Sequence, residues 1–135
     1  MQKGSIFFHT KLKFKNGTEE EKLLVQLNNP NPKKSEPYLF CKTTSKENGK
    51  PLKPGCHPKI SLFFIPKRQE SFKENTWLQL YEIYAFDAAS VLRDSWNKCL
   101  LEKGVIKDLT IRQLMNCIKQ ISDIEINFKN LILRD

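Results

Sequence analysis

The segment Tyr38-Leu39-Phe40-Cys41-Lys42-Thr43-Thr44-Ser45-Lys46 begins as an apolar run and ends in hydroxyls flanked by lysines. Its first half follows Pro37 and reads as a buried strand. The strand end then delivers Thr44, Ser45 and Lys46 to the surface on a rigid base. Hydrogen-bond donors beside a positive charge are what a phosphate group takes. Thr and Ser also favour strand ends and turns for purely local reasons, so the surroundings of this segment decide its meaning.

Those surroundings are basic. The chain has 135 residues and a net charge of +8, and the excess is unevenly placed. Residues 1–73 carry 15 Lys and Arg against 6 Glu, while residues 74–135 carry 8 against 9 Asp and Glu. An anionic partner for the first half follows from that asymmetry. Lys11, Lys13, Lys42, Lys67 and Arg68 are the candidate contacts to nucleic acid, with Trp77 as a stacking surface. Phe7 and Tyr38 are further stacking candidates, whereas Phe63, Phe64 and Phe86 are expected in the core.

His9 and His57 are the acid–base alternatives, one on the first strand and one in a Lys- and Pro-rich loop beside Cys56. Nothing in their spacing brings them together. Cys56, His57 and Cys41 lack the paired Cys-x-x-Cys spacing of a zinc site, so no metal or other cofactor is expected. Cys41, Cys99 and Cys117 lie in apolar settings and read as small buried hydrophobes of a reducing cytosol. No basic-then-apolar leader and no run of membrane-spanning length is seen, which gives an expected cytoplasmic location without a membrane partner.

A β-rich first part must position these residues. Gly4 to Lys15 alternates loosely, with a bulge near His9-Thr10, and Asn16-Gly17 is a hairpin turn. Leu23–Leu27 is a second strand, the opening segment a third, Ile60–Ile65 a fourth and Thr76–Leu80 a fifth. Glu47 to Pro58 is a loop, and Ile83–Phe86 a short additional edge strand. From Asp87 the period changes. Asp87 caps a helix with Val91, Leu92, Ser95, Trp96, Cys99 and Leu100 on one stripe, stopped by Gly104. Asp108 caps a second helix carrying Ile111, Leu114, Met115, Ile118 and Ile121. The tail from Ile124 to Leu133 is a last strand or a dimer contact. The expectation is a single domain over 1–135: a small β-barrel over 1–86 and a helical part over 87–135.

The order of landmarks resembles the MazF/PemK-type toxin family, SH3-like barrels of bacterial toxin–antitoxin systems, related in shape to CcdB. Lys3-Gly4-Ser5-Ile6 is similar to the family's opening. Leu23-Leu24-Val25-Gln26-Leu27-Asn28-Asn29 resembles its second strand, and Lys42-Thr43-Thr44-Ser45 the end of its third. Thr76-Trp77-Leu78-Gln79-Leu80 and Lys103-Gly104 to Leu109-Thr110 match the later landmarks. The resemblance implies a homodimeric, metal-independent endoribonuclease that cleaves single-stranded RNA and is silenced by an antitoxin protein. Thr44 and Ser45 would then donate to the scissile phosphate. The chain departs from the family in having no Arg before Arg68 and a short, acidic first loop. Either Lys3, Lys11 or Lys46 would replace the catalytic Arg, as point charges without its bidentate fork, or the Arg would come from elsewhere, with Arg68 as a further candidate. The rival reading is a non-catalytic basic barrel that binds nucleic acid or a protein partner, and fold alone does not separate the two.

Overall fold

A computed structural model describes residues 1–14 and 16–134. Seven strands form one antiparallel sheet: β1 (Ser5–Lys13), β2 (Glu19–Gln26), β3 (Tyr38–Thr44), β4 (Gly55–His57), β5 (Leu62–Ile65), β6 (Thr76–Phe86) and β7 (Leu100–Val105). Their order across the sheet is β4-β5-β6-β3-β2-β1-β7. Three α-helices complete the fold: α1 (Ala88–Trp96), α2 (Asp108–Gln120) and α3 (Ile126–Leu133). The mainly β class with C-terminal helices is therefore observed. The hydrogen-bonded order leaves β4 and β7 at the two edges.

β5 and the first half of β3 read as near-continuous apolar runs because both faces of the sheet are buried there. Ile6, Val25, Leu39, Cys41, Phe63 and Leu78 face one core, which α2 and α3 cover with Leu114, Cys117, Ile118 and Ile132. Their neighbours Phe7, Leu24 and Phe40 face the other side, where Val91 of α1 and Leu100 of β7 meet them. Leu62, Phe64 and Trp77 form a third cluster. The expected bulge in β1 is present, as a register shift between His9 and Leu12.

Several elements differ from expectation. Helix α1 ends at Trp96, and Lys98 turns the chain with a positive φ of 60°. Leu100–Val105 then pairs with the free edge of β1 instead of continuing the helix. Of the expected apolar stripe only Val91 is buried within α1; Leu92 is 71% and Trp96 84% exposed. Gly104 is accordingly a strand residue and not a helix stop. Asp108 is the first residue of α2, whose N-cap is Lys107. The tail is a helix and not a strand: Glu125 caps α3, and Ile132 is buried in the main core. Ile83–Phe86 belongs to β6, a central strand, and the loop expected over Glu47–Pro58 contains β4. Ile60 sits in a 3-10 turn ahead of β5.

The cysteines are also rearranged. Cys56 of β4 and Cys117 of α2 form a disulfide, with Cα atoms 5.3 Å apart and a sequence separation of 61. Sequence spacing does not show such a pairing, because only the packing of β4 against α2 creates it. The expectation of a free, reduced Cys117 is thus overturned. Cys41 stays a buried free thiol, and burial pushes its pKa up to about 12. Among the described residues, no helix is long and apolar enough to cross a membrane.

Candidate phosphate-binding groove

A groove of about 620 Å³ opens where β1, β2, β3 and β7 meet the β5–β6 connection. Thr43, Thr44, Ser45 and Lys46 line it from the end of β3, so the segment singled out in the sequence does face a cavity. Glu21, Lys22 and Leu23 come from β2. Ser71, Phe72, Lys73 and Glu74 come from the β5–β6 connection, and Thr76 from the first residue of β6. Lys103 comes from β7, and Ile6 and Phe8 of β1 supply apolar floor.

Local geometry explains why each group is there. Along the β1–β7 ladder Ile6 pairs with Gly104 and Phe7 with Glu102, so the register skips Lys103. An extra residue of this kind re-aims its side chain, which is how Lys103 reaches a groove that its strand only borders. Gly104 beside it is needed for a different reason. A Cβ at that position would lie 2.9 Å from Ser71 Oγ and 3.3 Å from Ser71 Cβ, so the β5–β6 connection rests directly on this glycine. The connection is anchored further by Phe72, buried in the main core. Glu70 fixes it to α2: Lys107 N–H donates to Oε1 at 3.0 Å and the Thr110 hydroxyl to Oε2 at 2.7 Å. The first turn of α2 is thereby capped by a side chain from another element.

The hydroxyls are not equivalent. Thr43 donates to Leu23 O at 2.9 Å and Thr76 to Glu74 O at 2.9 Å, so both protons are committed to the fold. Thr44 Oγ1 accepts from Lys46 N–H at 3.2 Å, which leaves the Thr44 proton to donate elsewhere. Among the described residues, Ser45 and Ser71 use no side-chain hydrogen bond internally, and none of Lys22, Lys46, Lys73 and Lys103 is in an ion pair. Four ammonium groups against the two carboxylates of Glu21 and Glu74 give the groove a surplus of two positive charges.

The remaining sequence candidates lie elsewhere. Lys3 is outside the groove lining, donating from Nζ to Arg134 O at 2.9 Å and from N–H to Asn29 Oδ1 at 2.8 Å. Lys42 pairs with Glu82 at 2.9 Å and stands 4.7 Å above the Phe14 ring. Lys67 and Arg68 are exposed at the start of the β5–β6 connection, outside the groove lining. Trp77, expected as a stacking surface, is 1% exposed; its ring stacks on Phe64 and its Nε1–H donates to Pro51 O at 2.8 Å. Phe7 is a core residue, and Tyr38 packs against the second cluster.

Lys11 and Lys13 line a separate cleft with His9, Arg93, Asp94 and Cys99. His9 is 6% exposed; its Nδ1 accepts from Lys11 N–H at 3.1 Å and its Nε2 lies 3.5 Å from Asp94 Oδ2. Both ring nitrogens are therefore engaged by the protein, and His9 is outside the groove lining. His57 must carry its proton on Nε2, which meets Lys53 O at 2.7 Å. The two histidines do not come together, and Cys56 is occupied by its disulfide.

Sequence reasoning missed Lys22, Lys73, Lys103, Ser71, Glu21, Glu74 and Phe8 as groove residues. Lys22 was legible in principle, as the last charge before the apolar run of β2. Lys103 was hidden by the helical reading of its segment. No protein-family model matches the sequence, and no curated protein matches it.

Proposed function

We propose that this groove binds the phosphodiester backbone of nucleic acid. The observation that carries the reading is the convergence of four lysines, free of ion pairs among the described residues, beside the unspent hydroxyl donors of Thr44, Ser45 and Ser71. Charged and neutral donors on a strand end and its neighbouring loops suit successive phosphates. Lys46 and Lys73 supply long-range attraction, and the hydroxyls fix position. The test is fluorescence anisotropy of a labelled single-stranded RNA across a salt series. With about four phosphates neutralised, log Kd should change with log salt at a slope near 3 in magnitude. Replacing Lys22, Lys46, Lys73 and Lys103 together by Ala should abolish binding. An affinity indifferent to salt, or to that replacement, sinks the reading.

Cleavage of the bound RNA is the second reading, and Glu21 and Glu74 favour it, because a pure phosphate track has no use for carboxylates. A carboxylate takes the 2′-hydroxyl proton, the 2′-oxygen attacks the adjacent phosphorus, and the bond from phosphorus to the 5′-oxygen breaks. Lys46 or another groove lysine gives a proton to that leaving oxygen, and Thr44 and Ser45 donate to the phosphoryl oxygens as charge builds. The products are a 2′,3′-cyclic phosphate and a free 5′-hydroxyl. This is the toxin-type endoribonuclease that the MazF/PemK resemblance implies, and an SH3-like barrel, a second copy of the chain and an antitoxin protein belong to it. Incubation with RNA in EDTA, followed by end mapping, checks it: discrete cyclic-phosphate ends that vanish in Glu21→Gln or Glu74→Gln support cleavage. Intact RNA leaves binding alone.

A further inference from the structure

Phe8 is an aromatic residue in the middle of β1 that joins none of the three buried clusters. Its neighbours Ile6 and Phe7 are each buried in a core, one on either face of the sheet. Phe8 is instead half-buried and lines the groove. It pairs across the sheet with Leu23 of β2 and with Leu101 of β7. Lys22, next to Leu23 on β2, and the bulged Lys103, two residues beyond Leu101 on β7, line the same groove. A flat ring is thus set into the floor of the groove, with an ammonium group on the strand at either side.

We infer that Phe8 is a stacking platform for an unpaired base, so that the ligand class of the groove is single-stranded nucleic acid. This rests on the phosphate-binding reading given above and adds the base to it. A ring recessed between cations accepts a base face while the backbone runs past the lysines. A duplex does not offer that face, because its bases are stacked on one another, and a bare polyanion has none. Stacking is tolerant of base identity, since every base has a π-face. Sequence preference would then be weak at this position.

Two labelled decamers separate the terms: one with unpaired bases throughout and one abasic, of equal charge. Wild-type protein should bind the base-bearing decamer more tightly. Phe8→Leu keeps an apolar side chain of similar size but removes the π-face. It should weaken binding of the base-bearing decamer by about 5-fold to about 150-fold. Binding of the abasic decamer should stay unchanged. Phe8→Trp should keep or strengthen the base-dependent part, and serves if Phe8→Leu does not fold. Equal wild-type affinity for the two decamers overturns the inference while leaving phosphate binding intact. So does a base-dependent increment that survives Phe8→Leu, or one that Phe8→Trp destroys. Failure of the wild type to bind either decamer overturns the groove reading and this inference with it.

Discussion

Glu70 stands outside the groove, yet its two carboxylate oxygens decide where Ser71 to Glu74 lie. One accepts from the Lys107 amide and the other from the Thr110 hydroxyl, while Lys107 Nζ donates to Gln69 O at 3.1 Å. Glu70→Ala would remove the cap of α2 and free the connection that carries Ser71 and Lys73. A lost cap costs about 1 kcal/mol, so the unfolding midpoint in urea should fall slightly while RNA affinity falls with it. Glu70→Gln, which still accepts hydrogen bonds, should recover part of both. If Glu70→Ala binds RNA as the wild type does, the connection is positioned by Phe72 and Gly104 alone. Gly104 gives a second prediction at this scale. Gly104→Ala brings a methyl against Ser71, and the expected outcome is weaker RNA binding with the overall fold kept, read by circular dichroism and anisotropy together. Thr44 and Ser45 were legible in the sequence because a strand end fixes where a side chain emerges. Lys22, Lys73 and Lys103 were not, because three separate segments bring them together and nothing local announces it.

At the scale of elements, the strands that showed themselves in sequence are those whose apolar runs are buried on both faces. The errors fall where a segment is compatible with two periods. Leu100 and Leu101 extend the apolar spacing of α1, yet the open edge of β1 offers a complete ladder that a further helical turn does not. Local propensity yields to that pairing. In the tail, Ile124, Ile126 and Phe128 alternate as a strand would, but Phe128, Leu131 and Ile132 also fit a helical stripe, and packing beside α2 selects it. The disulfide joins two elements in the same way, from a distance that sequence does not reveal. Closing a loop of this length stabilises the folded state by about 2–4 kcal/mol, chiefly by restricting the unfolded chain. Chemical denaturation with and without a thiol reductant should therefore show a lower midpoint in the reduced protein. Cys117→Ser should match the reduced wild type and become insensitive to reductant. An unchanged midpoint on reduction would mean that the helix–strand contact holds without the bond. Such bonds persist in oxidising surroundings, which sets the Cys56–Cys117 pair against the reducing location expected from composition.

For the whole molecule, the two ends of the chain are fastened to one loop. The Arg134 guanidinium grips Glu36 through two bonds of 2.6 Å and also donates to Asn29 O at 3.1 Å. Lys3 reaches Arg134 O and Asn29 from the other end. The Arg134 contact, followed by a bond from Asn31 N–H, lowers the Glu36 pKa from 4.5 to about 2. Asp87 is lowered too, through its bonds to Ser90 at the start of α1. A carboxylate whose folded pKa is depressed stabilises the fold fully above its unfolded pKa. That contribution fades as pH falls toward the folded value. Thermal stability should consequently be flat near neutrality and decline from about pH 4.5 toward about pH 2. Glu36→Gln removes the larger part of this dependence: its melting temperature should be lower at neutral pH and should converge on the wild type's in acid. Parallel melting curves for the two proteins across that interval would show that the pairing is made at the surface without consequence for stability. Because none of Glu36, Arg134, Asn29 and Lys3 lines the groove, the same variant should bind RNA unchanged at neutral pH. That separates the stability of the clamp from the chemistry proposed for the groove.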